Sequence, residues 1–251
     1  MGRWQAKRRL LCWAPLAFAL LIASACGSPP SPAQSPRIAI LSALPLFWAE
    51  GQFGAAATGI DQRAPFVRKL SEQFRVVPLD AISPATLSAA DVLILAQPRA
   101  LAPSELVDLD RWVRGGGKLL IFADPMLDWA SVYPMGDPRR PPLVTLLDPL
   151  FDHWGLNLGA PEVEQGREII DLEGKKLALV GAGHWTLADK AKGVCTTRAN
   201  DFLAGCTIGR GRVVLVGDAD ALDSRVWQET GIENAAAIES LIASLEEKAE
   251  K

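Results

Sequence analysis

Short apolar runs separated by helical patterns are the feature that most constrains the fold of this chain. Each run has five or six residues, begins with a charged residue and is rich in Val, Ile and Leu. The runs lie at Arg37–Leu41, Arg75–Leu79, Asp91–Ala96, Lys118–Ala123 and Arg212–Val216. Strands with this composition are typical of parallel sheets that are covered by helices on both faces.

Helices are predicted between and after these strands. Apolar residues at helical spacing indicate one helix from Asp61 to Phe74. A second helix is expected from Pro103 to Arg114, because proline suits the first helical position and the three glycines that follow end the helix. Further helices are expected over Val144–Trp154, interrupted by Pro149, and over Asn234–Lys248. The alternation predicts a doubly wound α/β domain.

The stretch from residue 162 to 208 has a different pattern, with shorter segments of alternating polarity. Two-residue turns are expected at Glu173–Gly174 and at Asn200–Asp201, each joining two antiparallel strands. We interpret this stretch as an antiparallel hairpin extension of the sheet.

Residues 1–25 have the layout of a bacterial export signal. Four basic residues precede an apolar run from Leu10 to Ala25, which is shorter than the roughly 20 residues that span a bilayer. The run ends in Ala-Ser-Ala-Cys, which is similar to the lipobox of bacterial lipoproteins, so Cys26 is expected to carry a lipid. A plain cleaved signal peptide and an uncleaved anchor are the alternatives.

The predicted organisation has three parts: a signal peptide over 1–25, a lipidated cysteine with a tether over 26–36, and one domain over 37–251. The tether is rich in proline and serine, and ten extended residues reach roughly 30 Å at ~3.1 Å each. Loss of the first 25 residues, which hold four basic and no acidic residues, shifts the formal net charge from −3 to −7. We therefore expect a periplasm-facing protein on the inner or outer membrane, with no affinity for nucleic acid.

Two cysteines of the exported part lie on either side of the second predicted turn. Cys195 and Cys206 are each five positions from Asn200–Asp201, so they are expected to face each other across a hairpin. Directly opposed residues lie within the distance range of disulfides, and the periplasm is oxidising. We predict a disulfide, with two buried thiols in a hairpin of different register as the alternative.

Two segments of the sequence resemble a known family. Residues 91–125, DVLILAQPRALAPSELVDLDRWVRGGGKLLIFADP, and residues 209–222, GRGRVVLVGDADAL, resemble the extracytoplasmic domain of the GldG-type auxiliary proteins of ABC transport systems. The resemblance implies a flavodoxin-like fold that is related to class I glutamine amidotransferases but lacks their catalytic nucleophile. It also implies an ABC permease or ATPase subunit as partner. Family members commonly carry C-terminal transmembrane segments, whereas residues 246–251 are a charged tail, so a lipid on Cys26 is expected to serve as the anchor.

Candidate binding residues follow from the predicted sheet, because ligands of open parallel sheets bind beyond the carboxyl ends of the strands. The residues at those positions that are candidates for contact with a ligand or partner are Trp48, Glu50, Gln97, Arg99, Asp124, Asp218 and Asp220. The three aspartates can also hold a divalent cation, with Glu50 or Asp223 completing the shell. We favour the other interpretation, in which Asp218 and Asp220 cap the following turn and Asp124 binds main-chain donors, and we expect no metal. We expect no cofactor.

Nucleophilic catalysis finds no support in the sequence. No Gly-x-Ser-x-Gly or Gly-x-Cys-x-Gly elbow follows a predicted strand, and the only histidines are His153 and His184. We expect His153 to pack or lie at the surface, while His184 follows a Gly-Ala-Gly turn and is the better candidate for a functional role.

We therefore expect a non-enzymatic binding or scaffolding domain. Its interaction surface is expected in the loops that hold Trp48, Trp129 and the pair Arg139–Arg140. The alternative is a small-molecule hydrolase or metal-dependent envelope enzyme that uses Asp124, Asp218 and His184. A resemblance to trehalose-utilisation-type proteins supports this alternative, although Phe-Ala-Asp at 122–124 stands where that family's histidine is expected.

Overall fold

The computed structural model describes residues 35–51, 61–161, 166–191 and 194–246. The predicted signal peptide, Cys26 and the tether up to residue 34 lie outside the described residues. The strands are β1 (Arg37–Ser42), β2 (Arg75–Leu79), β3 (Val92–Ala96), β4 (Lys118–Phe122), β5 (Leu156–Leu158), β6 (Arg167–Leu172), β7 (Lys175–Val180), β8 (Trp185–Leu187), β9 (Cys195–Arg198), β10 (Leu203–Ile208) and β11 (Gly211–Val216). The helices are α1 (Pro65–Leu70), α2 (Pro84–Ser88), α3 (Pro103–Arg114), α4 (Asp148–Trp154), α5 (Ser224–Thr230) and α6 (Ala235–Ser244). None of these described helices has the length and apolar character needed to cross a membrane.

Seven strands form the central sheet in the order β2-β1-β3-β4-β11-β10-β9. The first five strands in this order are parallel, and β10 and β9 continue the sheet antiparallel. The order changes direction between β1 and β3, as it does in flavodoxin-like sheets. The predicted fold class, a doubly wound and mostly parallel α/β sheet with an antiparallel hairpin, is confirmed.

The side chains of the parallel strands alternate between two cores. On β1, Ile38 and Ile40 face the core formed with α1, α5, α6 and the β6–β7 hairpin. Ala39 and Leu41 face the opposite core, which is formed with α2, α3 and α4. Both faces of the sheet are therefore covered, which is why its strands are apolar along nearly their whole length.

Both predicted hairpins are present, but only the second extends the central sheet. The first turns at Glu173–Gly174 as predicted, whereas the second has a four-residue loop, 199–202, in place of the expected two-residue turn. Cys195 and Cys206 are direct partners on β9 and β10 and form the predicted disulfide. The β6–β7 hairpin, by contrast, forms a separate two-stranded sheet, and β5 pairs with β8 in another. The backbone N–H and C=O of Ala178 on β7 bind the side chain of Asn234, next to α6, at 2.8 Å each. The expectation that the whole stretch extends the central sheet is therefore wrong for β6 and β7.

Three predicted helices have different bounds in the structure. The closing helix, expected over 234–248, is α6 and ends at Ser244, and residues 247 and 248 lie outside the described residues. The expected helix over 61–74 is limited to α1, which begins at Pro65 and ends before Ser71. The expected helix over 144–154 begins only at Asp148, so Pro149 lies in its first turn and does not interrupt it. The residues before it are held elsewhere, since the N–H of Thr145 donates to the carbonyl of Asp124 at 2.7 Å.

Candidate functional site

Three aspartates meet at the carboxyl edge of the central sheet. Phe122 on β4 and Val216 on β11 are partners in the parallel sheet. Asp124 lies two residues after Phe122, and Asp218 lies two residues after Val216. Asp220 opens the short 3-10 turn that comes next in the chain. The three side chains offer ligand oxygens within 4.8 Å of one another, and all three residues are buried. We call Asp124, Asp218 and Asp220 the carboxylate cluster.

Main-chain donors hold the carboxylate of Asp124 in place. Its Oδ1 accepts a hydrogen bond from the N–H of Met126 at 2.8 Å, and its Oδ2 accepts one from the N–H of Ala219 at 2.9 Å. The side chain therefore ties the loop after β4 to the turn after β11.

The other two aspartates bind different parts of the chain. Asp218 accepts from the N–H of Val180 at 2.6 Å and from the N–H of Ala221 at 3.1 Å. Asp220 accepts from the N–H of Asp128 at 2.7 Å through Oδ2. Its Oδ1 is buried and has no hydrogen-bond partner. One carboxylate oxygen of the cluster is thus left unsatisfied.

Burial raises the pKa of every member of the cluster, and the charges of neighbouring aspartates raise the pKa of Asp218 and Asp220 further. Burial raises the pKa of Asp124 to about 6, against the opposing effect of its main-chain donors. Burial and the charge of Asp124 raise the pKa of Asp220 to about 8. Burial, followed by the charges of both neighbours, raises the pKa of Asp218 well above its ordinary value. Three bare carboxylates are therefore unfavourable here at neutral pH, so the cluster holds protons or a cation.

Gln97 closes the crevice beside Asp124. Its Oε1 accepts from the N–H of Asp124 at 2.9 Å, and its Nε2 donates to the carbonyl oxygens of Asp124 at 3.3 Å and Pro142 at 3.0 Å. Gln97 has a φ of 41°, in the left-handed region that is uncommon for residues other than glycine. This conformation follows β3 directly, and the buried side chain occupies space at the strand ends where a ligand of an open sheet binds.

Arg99, another candidate, serves the start of α3. Its guanidinium pairs with the carboxylate of Glu105 at 2.8 and 2.9 Å. Glu105 also accepts from the N–H of Ile82 and of Ala102, and the arginine holds the pKa of Glu105 down at about 2. Arg99 therefore braces a helix terminus and makes no hydrogen bond to the carboxylate cluster.

Trp48 and Glu50 belong to a surface region outside the cluster. Glu50 accepts a hydrogen bond from the N–H of Val132 at 2.8 Å, which joins the loop after β1 to the loop after β4. The side chains of Trp48, Val132 and Met135 are 62%, 68% and 67% exposed. We call these three residues the loop surface. Arg139 stacks over the ring of Tyr133 in the same loop, 4.2 Å from its centroid.

The remaining candidates do not join the cluster. His184 lies 3.1 Å from the carbonyl oxygen of Asn200 through Nδ1 and packs on Phe202, and His153 is exposed on α4, 3.5 Å from Asp110. Glu50 and Asp223, considered above as further metal ligands, are not grouped with the three aspartates: Asp223 binds Arg225, and Glu50 binds a main-chain N–H. Trp129 is partly buried and packs against the core.

A cavity of about 260 Å³ adjoins Asp220. Charged side chains of both signs line it: Asp128, Asp220, Arg167, Arg225 and Glu229. Arg167 pairs with Glu229, and Arg225 binds Asp223 and the carbonyl of Asp128. These arginines were not predicted, because they come from β6 and α5, which the sequence pattern does not bring together.

Several solved structures are similar in fold at low sequence identity. The N-terminal domain of mmIFT52 is 13% identical with a TM-score of 0.53, and the alignment covers 86% of this chain and 99% of that domain. The cytoplasmic protein STM1381 from Salmonella typhimurium LT2 is 11% identical with a TM-score of 0.53, covering 83% of this chain and 99% of that one. A ThuA-like protein from Bacteroides uniformis ATCC 8492 gives a TM-score of only 0.40 at 11% identity, over 77% of this chain and 86% of that one. The first two likenesses show a shared fold.

Comparison with protein families gives a match over the first half of the domain. No curated protein matches the sequence. Residues 35–167 match the family described as an ABC-type uncharacterized transport system, and they include β1 to β5 and Asp124. The chain therefore belongs to this family of ABC transport auxiliary proteins.

Proposed function

We propose that this chain is a non-enzymatic domain of the GldG type that faces the periplasm, is held at the membrane by a lipid on Cys26, and binds a component of an ABC-type transport system. Family membership supports the accessory role. The finer parts of the proposal rest on the lipobox-like sequence and on the geometry at the strand ends.

The observation that supports a binding role most strongly is the filling of the strand-end crevice. Enzymes with open parallel sheets bind their substrates there. In this chain Gln97 and the carboxylate cluster occupy the crevice, and nearly all of their polar side-chain atoms form hydrogen bonds with main-chain groups. Buried side chains engaged in this way hold loops in position and are poorly placed to react with a substrate.

The loop surface is the part of the domain that we assign to contact with the partner protein. The aspartates are buried and can reach only a small ligand, whereas Trp48, Val132 and Met135 expose large apolar side chains. Exposed aromatic and methionine side chains are enriched in protein interfaces. The hydrogen bond of Glu50 to Val132 holds the two loops of this surface together.

Substitution of the loop surface tests this assignment. Trp48→Ala and Met135→Ala should reduce the ABC subunit recovered with the full-length protein after cross-linking in cells by about tenfold, the effect of losing one interface anchor of ~1.4 kcal/mol. Val107→Ala is the matched control, since Val107 is 55% exposed on α3 and outside the loop surface. Equal recovery from all three variants would show that the partner binds elsewhere.

A metal-dependent hydrolase is the second candidate. It is favoured by one observation, the raised pKa values of buried carboxylates beside a cavity, which is a property of many active sites. Turnover of a small ester by the purified protein, lost in Asp220→Asn, would favour the enzyme over the binding domain.

A further inference from the structure

We propose that the carboxylate cluster is a binding site for one hard divalent cation, Ca²⁺ or Mg²⁺, which enters from the cavity beside Asp220. This inference does not depend on the proposed transport role, because it rests only on the geometry of the three aspartates. Carboxylate oxygens are the ligands that both cations prefer.

The described part of the chain provides no ion pair to the cluster. Among the described residues, no lysine, arginine or histidine forms an ion pair with Asp124, Asp218 or Asp220. Of the two arginines that border the cavity, Arg167 pairs with Glu229. Arg225 feels the charge of Asp220, but its hydrogen bonds go to Asp223 and to a main-chain carbonyl. Buried charges in proteins are paired, coordinate metals or are neutralised by protons, so a proton or a cation from solution balances the charge of the cluster.

A second observation indicates where the cation binds. The Asp220 side chain is 1% exposed, and its Oδ1 is the one cluster oxygen without a donor. The other oxygens accept main-chain hydrogen bonds, which orient them and leave lone pairs for a metal. A cation bound by the cluster would satisfy Oδ1 and neutralise its neighbours at once.

Protons alone account for less of this geometry. A proton on Asp218 forms a hydrogen bond to Asp124, which lowers the pKa of Asp124 and accommodates those two side chains. A proton on Asp220 itself removes the charge of that side chain, but its Oδ1 still has no hydrogen-bond partner among the described residues. The cavity of about 260 Å³ that Asp220 lines provides a route from solvent and space for the water ligands that Ca²⁺ and Mg²⁺ retain.

The test is calorimetric titration of the purified full-length protein in detergent, after removal of metal with EDTA. We expect CaCl₂ or MgCl₂ to bind with a stoichiometry of one and to raise the melting temperature. Asp220→Asn should lose the binding heat and the rise in melting temperature, because the neutral amide is a poor ligand. Its amide oxygen can still accept the N–H of Asp128, so the variant should fold.

Asp223→Asn is the matched control, since Asp223 is a buried acid in the same turn that binds Arg225 instead of the cluster. It should bind the cation as the wild type does. Asp218→Asn serves as a second variant if Asp220→Asn does not fold, with the same expected loss of binding. The proposal is overturned if metal-free wild-type protein gives neither heat nor a melting shift with either cation. It is also overturned if a folded cluster variant binds as tightly as the wild type.

Discussion

Removal of the disulfide between β9 and β10 should lower the free energy of unfolding by an amount that depends on the length of the loop that the bond closes. Cys195 and Cys206 are 11 positions apart, so their bond closes a loop of about 12 residues. Loop-closure entropy for that length amounts to about 3 kcal/mol at 25 °C. In a domain of this size each kcal/mol changes the melting temperature by about 2–4 °C, so the double variant Cys195→Ala/Cys206→Ala should melt about 6–12 °C lower.

Thermal unfolding followed by circular dichroism, with and without reductant, measures this effect. The wild-type protein should lose stability when it is reduced, and the double alanine variant should not respond to reductant at all. The variant is therefore its own control for effects of the reductant on the rest of the chain. If the melting temperature of the wild type changes by less than about 2 °C on reduction, with the thiols shown to be free, the bond does not stabilise the edge of the sheet.

Three further predictions concern buried groups and the anchor. Asn234→Ala should lower the free energy of unfolding in urea by about 3 kcal/mol, because it leaves buried main-chain groups of β7 unpaired; exposed Asn157→Ala should cost less than ~0.5 kcal/mol. In cation-free buffer the melting temperature should fall between pH 5 and 8, since folded Asp124 and Asp220 keep protons that the unfolded chain releases, and Asp220→Asn should flatten this slope. Cys26→Ala should move the protein from the membrane to the soluble fraction of lysed cells, and an unchanged distribution would contradict the lipid anchor.

The strands of the central sheet could be predicted because their burial on both faces leaves a plain apolar signature. The same holds for α3, whose bounds at Pro103 and Arg114 follow from the proline and glycines at its two ends. The small elements β5, β8 and α2 have three to five residues each, too few for periodicity to distinguish them from loops. The β6–β7 hairpin is bound by the side chains of Asn234 and Asp218, which contact β7 from positions far away in the chain.

The candidate site could be located from the sequence, but its contacts could not. Asp124 and Asp218 follow β4 and β11, which are neighbouring parallel strands, so their positions at the strand ends are enough to predict that they lie close together. Arg99 was expected beside them, yet it pairs with Glu105. Glu105 stands at the third helical position of α3, but the N-cap is Ala102 and not the serine or threonine of a usual capping box, so the sequence does not reveal this role. The unsatisfied oxygen of Asp220 depends on how the loop around Asp128 packs, which no local pattern reveals.

The accessory role in an ABC transport system is best tested by cross-linking the full-length wild-type protein in its own cells, followed by purification and identification of its partners. Our account predicts recovery of an ABC permease or ATPase subunit at a stoichiometric level. Recovery of the protein alone, from a preparation in which known membrane complexes survive, would contradict the accessory role and leave an autonomous binding protein or enzyme.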